Sequence, residues 1–180
     1  TASQYFEVAP DLIVLGKGLA NGMPLAAVCG RADVMREFED VMVSGTFHGE
    51  CLSLAAGIAT VKEIISKSTI DHCWKIGRLI MDDLTERGIK VDGFPCRPMI
   101  VLPDTSPEAK TLFLEQMIQR GILLVNSMVL NICYSHSWED ADKLIDACVE
   151  SVDILKKAIA AGTIREQCRG QIIKSAFRRI

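Results

Sequence analysis

The strongest constraint on what this chain can fold into is the short apolar run Leu12–Leu15, bounded by Pro10-Asp11 on one side and Gly16 on the other. An unbroken apolar run of this length reads as a strand buried on both faces. It ends in Gly16-Lys17-Gly18, and Gly22 and Pro24 mark the loop that follows. Residues 25–29 read as a second short strand, residues 31–38 as a short helix, and Ser44-Gly45-Thr46 as a polar turn.

After Glu50 the periodicity becomes helical. Leu54, Ile58, Val61 and Ile65 share one helix face, and Cys73, Ile76, Ile80 and Leu84 share the face of a second helix that stops before Gly88. Residues 97–102 are strand-like. Ser106 and Pro107 suit the start of another helix and Gly121 its end. Residues 122–125 and 131–134 are again strand-like. Ser137 and Asp140 have the form of a capping box, opening a long helix with Ala141, Leu144, Cys148, Val152, Leu155 and Ile159 on one face and a stop at Gly162. This order predicts the end of an α/β domain over residues 1–68. A small α+β domain with an antiparallel or mixed sheet follows over 69–162, and then a basic tail over 163–180. Arg165, Arg169, Lys174, Arg178 and Arg179 stand in that tail against Glu166, which reads as a solvated terminal helix.

Composition excludes several roles. The 49% hydrophobic and 24% charged content is that of a globular protein. The longest apolar run is far too short for a membrane span, and a net charge of −3 gives no reason to expect nucleic acid or an anionic membrane as partner. The chain opens without a secretory leader, and its seven cysteines show no C-x-x-C pair, so a disulfide framework is not expected. Reduced thiols and a cytoplasmic location are the expectation. His48, His72 and His136 lack metal-ligand spacing, and no metal site is expected.

Lys17 is the residue with chemical promise. Ligands of open α/β sheets bind outside the carboxyl ends of strands, where partial desolvation favours the neutral amine needed for carbonyl chemistry. The flanking glycines permit close approach. A phosphate-binding loop of the Walker type is excluded, because it needs glycine at 11 and serine or threonine at 18, where Asp11 and Gly18 stand. For a bare Gly-Lys-Gly, a turn lysine facing water is the plainer reading.

Pro10-Asp11, the apolar run, Gly16-Lys17, the loop with Gly22 and Pro24, and a small-residue strand ending in Gly30-Arg31 together resemble the lysine segment of class III aminotransferases. This group includes the glutamate-1-semialdehyde aminomutase branch. The resemblance implies that Lys17 carries pyridoxal 5'-phosphate as a Schiff base. Gly45-Thr46 through Glu50, followed by a small-residue helix, is similar to the family loop whose threonine reaches the cofactor phosphate of the neighbouring subunit. A hydroxyl and backbone N–H groups beside a helix N-terminus suit that task. Glu50 stands where asparagine is usual, which the resemblance links to members acting in sugar or polysaccharide pathways. Residues 121–124 and 131–140 are similar to the family's small-domain ending. No arginine stands between Asn131 and His136, which favours the aminomutase-like branch, with a structural or gating role for His136.

The implied fold is the C-terminal part of a fold type I pyridoxal-phosphate-dependent transferase large domain (α/β) followed by a small α+β domain. The implied function is amino-group transfer between a small-molecule donor and acceptor by a homodimer, with Lys17 catalytic and Lys17, Gly45 and Thr46 binding the cofactor. The family's first phosphate loop, ring-stacking aromatic and acid facing the pyridine nitrogen have no counterparts here, so a fragment is expected. An aminomutase, and an inert fragment with only a dimerising or interaction role, are the alternatives.

Overall fold

The computed structural model describes residues 2–174. The chain divides into two compact units, Thr1–Ser68 and Thr69–Ile180.

In the first unit a short helix α1 (Ala2–Tyr5) precedes strand β1 (Leu12–Leu15) and a single 3-10 turn over Lys17–Leu19. Strand β2 (Ala27–Gly30) runs antiparallel to β1, with Leu12 opposite Gly30 and Leu15 opposite Ala27. Gly30 is required there, because a Cβ would lie 2.3 Å from the Asp11 carbonyl oxygen. The Arg31 guanidinium then reaches back to Asp11 at 2.8 Å and closes the end of the ladder. Helix α2 (Ala32–Met35) and a 3-10 turn lead to α3 (Cys51–Ser66).

Two expectations fail in this unit. Leu12–Leu15 is a strand, but it is not buried on both faces: Leu12 is 44% and Val14 71% exposed, while Ile13 and Leu15 on the other face are half-buried. The helix face Leu54, Ile58, Val61 and Ile65 is exposed too, while Ser53 and Gly57 are the buried positions of α3. The physical reason is the same in both cases. The ladder has two strands only, and no described segment lies over these apolar surfaces.

The second unit holds the core. Helix α4 (Thr69–Glu86) contributes Ile76, Ile80 and Leu84, all buried. A hairpin of β3 (Val91–Phe94) and β4 (Arg97–Ile100) follows, antiparallel, with Val91 opposite Ile100. Helix α5 (Pro107–Gln119) starts on the Ser106 hydroxyl, which accepts from the Ala109 N–H, and buries Leu112, Phe113 and Met117. Helix α6 (Trp138–Ala161) opens with a reciprocal Ser137–Asp140 capping box, and Gly162, with φ of 68°, closes it in the left-handed conformation. Ile145, Cys148, Val152 and Leu155 complete the interior. Full burial of each such side chain is worth about 1.5–3 kcal/mol.

Residues 122–125 and 131–134 are not strands. The segment that pairs with β4 lies between them: the Ile100 N–H donates to the Met128 carbonyl at 3.0 Å and the Leu130 N–H to that of Pro98 at 2.8 Å. Apolar alternation in 122–125 comes instead from Ile122 and Leu124 packing on the core without a ladder. The tail is not a free basic helix. After α7 (Ile164–Gln167) the chain returns along α5, where the Arg169 and Gly170 N–H groups donate to the Glu115 carboxylate and the Ile173 N–H to the Thr111 hydroxyl. Arg178 and Arg179 lie outside the described residues.

The hairpin meets α4 at Gly77. A Cβ added there would stand 1.5 Å from the Pro95 carbonyl oxygen, an overlap that only backbone movement relieves. Gly77→Ala should therefore destabilise the second unit by about 1–3 kcal/mol. Both tryptophans, Trp74 and Trp138, lie in that unit, so urea unfolding followed by tryptophan fluorescence reads it directly. An unchanged midpoint would show that the hairpin does not press on α4.

Candidate functional site

Lys17 directly follows β1 and starts the 3-10 turn. Its φ of +49° is left-handed, a conformation that costs a side-chain-bearing residue about 1–2 kcal/mol. Asn21 at +46° and Gly22 at +110° continue the unusual backbone of this loop. Such strain in a non-glycine residue clusters at functional sites. The loop leaves open space beside the lysine, because a Cβ on Gly18 would meet nothing within 4 Å. Lys17 is exposed rather than partly desolvated, since β1 lacks cover, and among the described residues its amine makes no ion pair. The acid closest to it in sequence, Asp11, is committed to Arg31.

Gly45 and Thr46 lie in an exposed turn in which the His48 N–H donates to the Gly45 carbonyl at 3.0 Å. Among the described residues the N–H groups of Gly45, Thr46 and Phe47 and the Thr46 hydroxyl carry no hydrogen bond. This turn and the loop leading into β2 form an open cavity of about 670 Å³, walled by Pro24, Leu25 and Ala26 on one side and Gly45, Thr46 and His48 on the other. Helix α3 is seated against the same loop through Gly57, where a Cβ would come 2.6 Å from a Leu25 methyl. Successive unpaired N–H groups and a hydroxyl in a concave surface suit an anion. Lys17 does not line this cavity.

The N-terminus of α3 does not join the cradle. Glu50 caps it, accepting from the Leu52 and Ser53 N–H groups at 2.7 Å each and from the Ser53 hydroxyl at 2.6 Å. The Ser53 hydroxyl, then the Ser53 and Leu52 N–H groups, hold the Glu50 carboxyl below the usual carboxylate range. The amides that sequence reasoning offers to a phosphate are thus occupied by an internal anion. The sequence carried little signal for this, since Glu50 with Ser53 reverses the order of a capping box and glutamate is not among the preferred N-cap residues. The role of Pro24–Ala26 as the cavity wall carried no sequence signal.

In the second unit a cavity of about 350 Å³ is lined by Ile76, Ile80, Leu124, Asn131, His136 and Lys143 among others. His136 closes a turn there: its Nδ1 accepts from the Cys133 N–H at 3.0 Å. Among the described residues no group of three or more His, Cys, Asp or Glu side chains is placed to hold a metal ion, and no helix is long and apolar enough to cross a membrane.

Residues 1–159 match the family model described as aminotransferase class III. The chain is 28% identical over 179 residues to glutamate-1-semialdehyde 2,1-aminomutase of Methanocella arvoryzae, covering 86% of this chain and 42% of the relative. It is 41% identical over 83 residues to 4-aminobutyrate aminotransferase of Mycobacterium leprae, covering 46% of this chain and 19% of that protein. The PLP internal aldimine form of the Sphingopyxis sp. MTA144 FumI protein superposes with a TM-score of 0.77 at 19% identity, covering 89% of this chain and 40% of that one. That identity speaks for the fold alone, which is part of the fold type I α/β architecture. The chain spans less than half the length of these relatives. On the match across residues 1–159, the chain belongs to the class III aminotransferase family.

Proposed function

We propose that this chain is the C-terminal part of a pyridoxal-phosphate-dependent enzyme that transfers an amino group, with Lys17 as the residue that carries the cofactor. The observation that carries this reading is Lys17 itself, held in a left-handed conformation at the carboxyl end of β1 beside open space. The residues present fit the group. Lys17 would bind its aldehyde, and the Thr46 hydroxyl with the free N–H groups of Gly45, Thr46 and Phe47 would hold its phosphate.

When bound, pyridoxal phosphate supplies an electron sink for carbanion chemistry. Lys17 binds and orients, and once its amine is free it takes the proton from the amine-bearing carbon of the substrate and returns it during transfer. Thr46 anchors. Because the Gly45–Thr46 cavity does not include Lys17, the reading that Thr46 serves the cofactor of a neighbouring subunit in a homodimer is favoured over a single-chain site. The substrates are a small-molecule amino donor and acceptor, and the location is cytoplasmic.

An aminomutase is the second reading. It is favoured by the absence of arginine from residues 131–136, where His136 is spent on turn closure, and by the likeness to an aminomutase along most of the chain. Incubating the complete enzyme with an amino substrate, with and without an added keto acceptor, separates the two. An aminomutase forms an isomeric product without acceptor, and a transaminase turns over only with it.

In the complete enzyme, Lys17→Ala should abolish both the borohydride-reducible cofactor linkage and amino transfer. Retention of the linkage at the wild-type level would assign another lysine. Thr46→Val removes one hydroxyl contact to a charged phosphate and should weaken cofactor affinity by about 1.5–3 kcal/mol while leaving the proton-transfer step nearly unchanged. Equal affinity of the two proteins, measured by cofactor titration of the dimer, would remove Thr46 from the phosphate site.

A further inference from the structure

Two histidines of the second unit, His72 and His136, meet at one turn, and their hydrogen bonds fix which ring nitrogen carries the proton in each. His72 Nε2 lies 2.8 Å from the His136 carbonyl oxygen, an atom that only accepts, so Nε2 is the protonated nitrogen of His72. His136 Nδ1 accepts from the Cys133 N–H at 3.0 Å, so Nδ1 is bare and the neutral ring carries its proton on Nε2. The His72 and Tyr134 rings meet edge-on with centroids 5.1 Å apart, which holds the middle of the turn against α4.

The two bonds respond to acid in opposite ways. A second proton on His72 goes to Nδ1 and leaves the bond to the carbonyl in place. A second proton on His136 goes to the nitrogen that accepts from Cys133, and sets two N–H groups against each other. The Cys133 Sγ, 3.4 Å from that nitrogen, offers the new N–H only a weak acceptor and the displaced amide none. What then remains is the bond from the His136 N–H to the Cys133 carbonyl at 3.1 Å, together with the His72 contact.

The charged surroundings give the released ring a direction. From α6, Asp140 and Lys143 line the same cavity as His136, while the lining segment 121–132 carries no titratable side chain. Lys143 opposes a positive charge on His136 and Asp140 favours it. The Asp140 carboxylate accepts from the Ser137 N–H and the Ser137 hydroxyl at 2.8 Å each. Those bonds, the backbone one first, with the charges of His136 and Lys143 behind them, hold it below the usual carboxylate range. It is therefore ionised wherever imidazole takes up a proton.

We propose that the Cys133–His136 turn is a proton-operated latch on the wall of the 350 Å³ cavity, closed by neutral His136 and released when His136 takes a proton at Nδ1. The closed turn binds one proton fewer than the open one, so it is favoured as pH rises and lost as pH falls. On release the ring leaves the Cys133 amide and turns towards Asp140. The cavity wall then exchanges a fixed neutral ring for a mobile cation, while the tie of the His136 carbonyl to α4 persists.

Two-dimensional NMR of the full chain, taken from about pH 7.5 to about pH 5, spans the range in which imidazole changes charge. Ring shifts report the protonation of His72 and His136, and the Cys133 amide reports the bond through its shift and its exchange protection, corrected for the intrinsic rate. Protection of that amide should fall roughly fivefold in step with the His136 ring, the loss of one hydrogen bond. The Leu130 amide, bonded to the Pro98 carbonyl, should not change. His136→Asn supplies an acceptor that does not titrate at the same three-residue spacing by which Asp140 reaches the Ser137 N–H, and should keep the Cys133 amide protected throughout. His72→Gln should leave the pH response of Cys133 in place. The proposal is overturned if the Cys133 amide is unmoved while His136 titrates, if its response survives in His136→Asn, or if it vanishes in His72→Gln. Should His136→Asn disturb the fold, the Leu130 amide would lose protection with it. Whether the Cys133 amide of the unaltered chain follows the His136 ring or the His72 ring then decides.

Discussion

Apolar burial is distributed unevenly along this chain, and the rest of the structure follows from that. The contiguous core is made by α4, α5, α6 and the β4–Leu130 region, all in the second unit. Phe113, Ile76, Leu84, Leu112, Met117 and Leu155 are fully buried within it. In the first unit Ala20 is the one apolar residue of that class among the described residues, and Ser53 is buried with it. The first unit is held by the β1–β2 ladder, the Asp11–Arg31 ion pair and the contact of Gly57 with Leu25. An exposed ion pair of this kind contributes little. The half of the chain that carries the candidate chemistry is therefore the half with the least burial to hold it.

Much of the second unit was legible in the sequence, because its signals are local. Ser106-Pro107, the Ser137–Asp140 box and the left-handed Gly88, Gly121 and Gly162 punctuate helices whose apolar faces repeat at helical spacing. What escaped depends on distant partners. The strand β3 contains Asp92 and Gly93 and lacks an apolar pattern, yet it forms because β4 supplies the ladder. Residues 122–125 have the pattern and form no strand, because β4 pairs with Met128–Leu130 instead. Pairing is non-local, and period alone cannot identify the partner.

At the candidate site, sequence reasoning pointed to Lys17 and the Gly45–Thr46 turn by motif and resemblance; Lys17 has a left-handed backbone, and the Gly45–Thr46 turn is an exposed turn of ordinary backbone. It could not foresee that β1 would lie uncovered, since a buried-strand pattern states only what a strand needs. Nor did it assign Glu50, whose departure from the usual asparagine is visible in the sequence but whose partners, Leu52 and Ser53, are seen only in three dimensions.

The Glu50 cap has a consequence for how an anion is held nearby. A helix N-terminus normally lends its dipole to a bound phosphate. Here that end is neutralised by a carboxylate of the chain itself, so a phosphate at Thr46 gains nothing from the helix and faces a like charge beside it. Attraction must come from direct hydrogen bonds of the turn, which act at contact distance, inside the Debye length. Repulsion from the cap acts over a longer range and is screened as ions are added. The sign of the salt dependence is thus inverted relative to a helix-dipole site: raising ionic strength should leave the anion's grip on this turn intact or strengthen it, where an ordinary phosphate-binding helix would lose affinity.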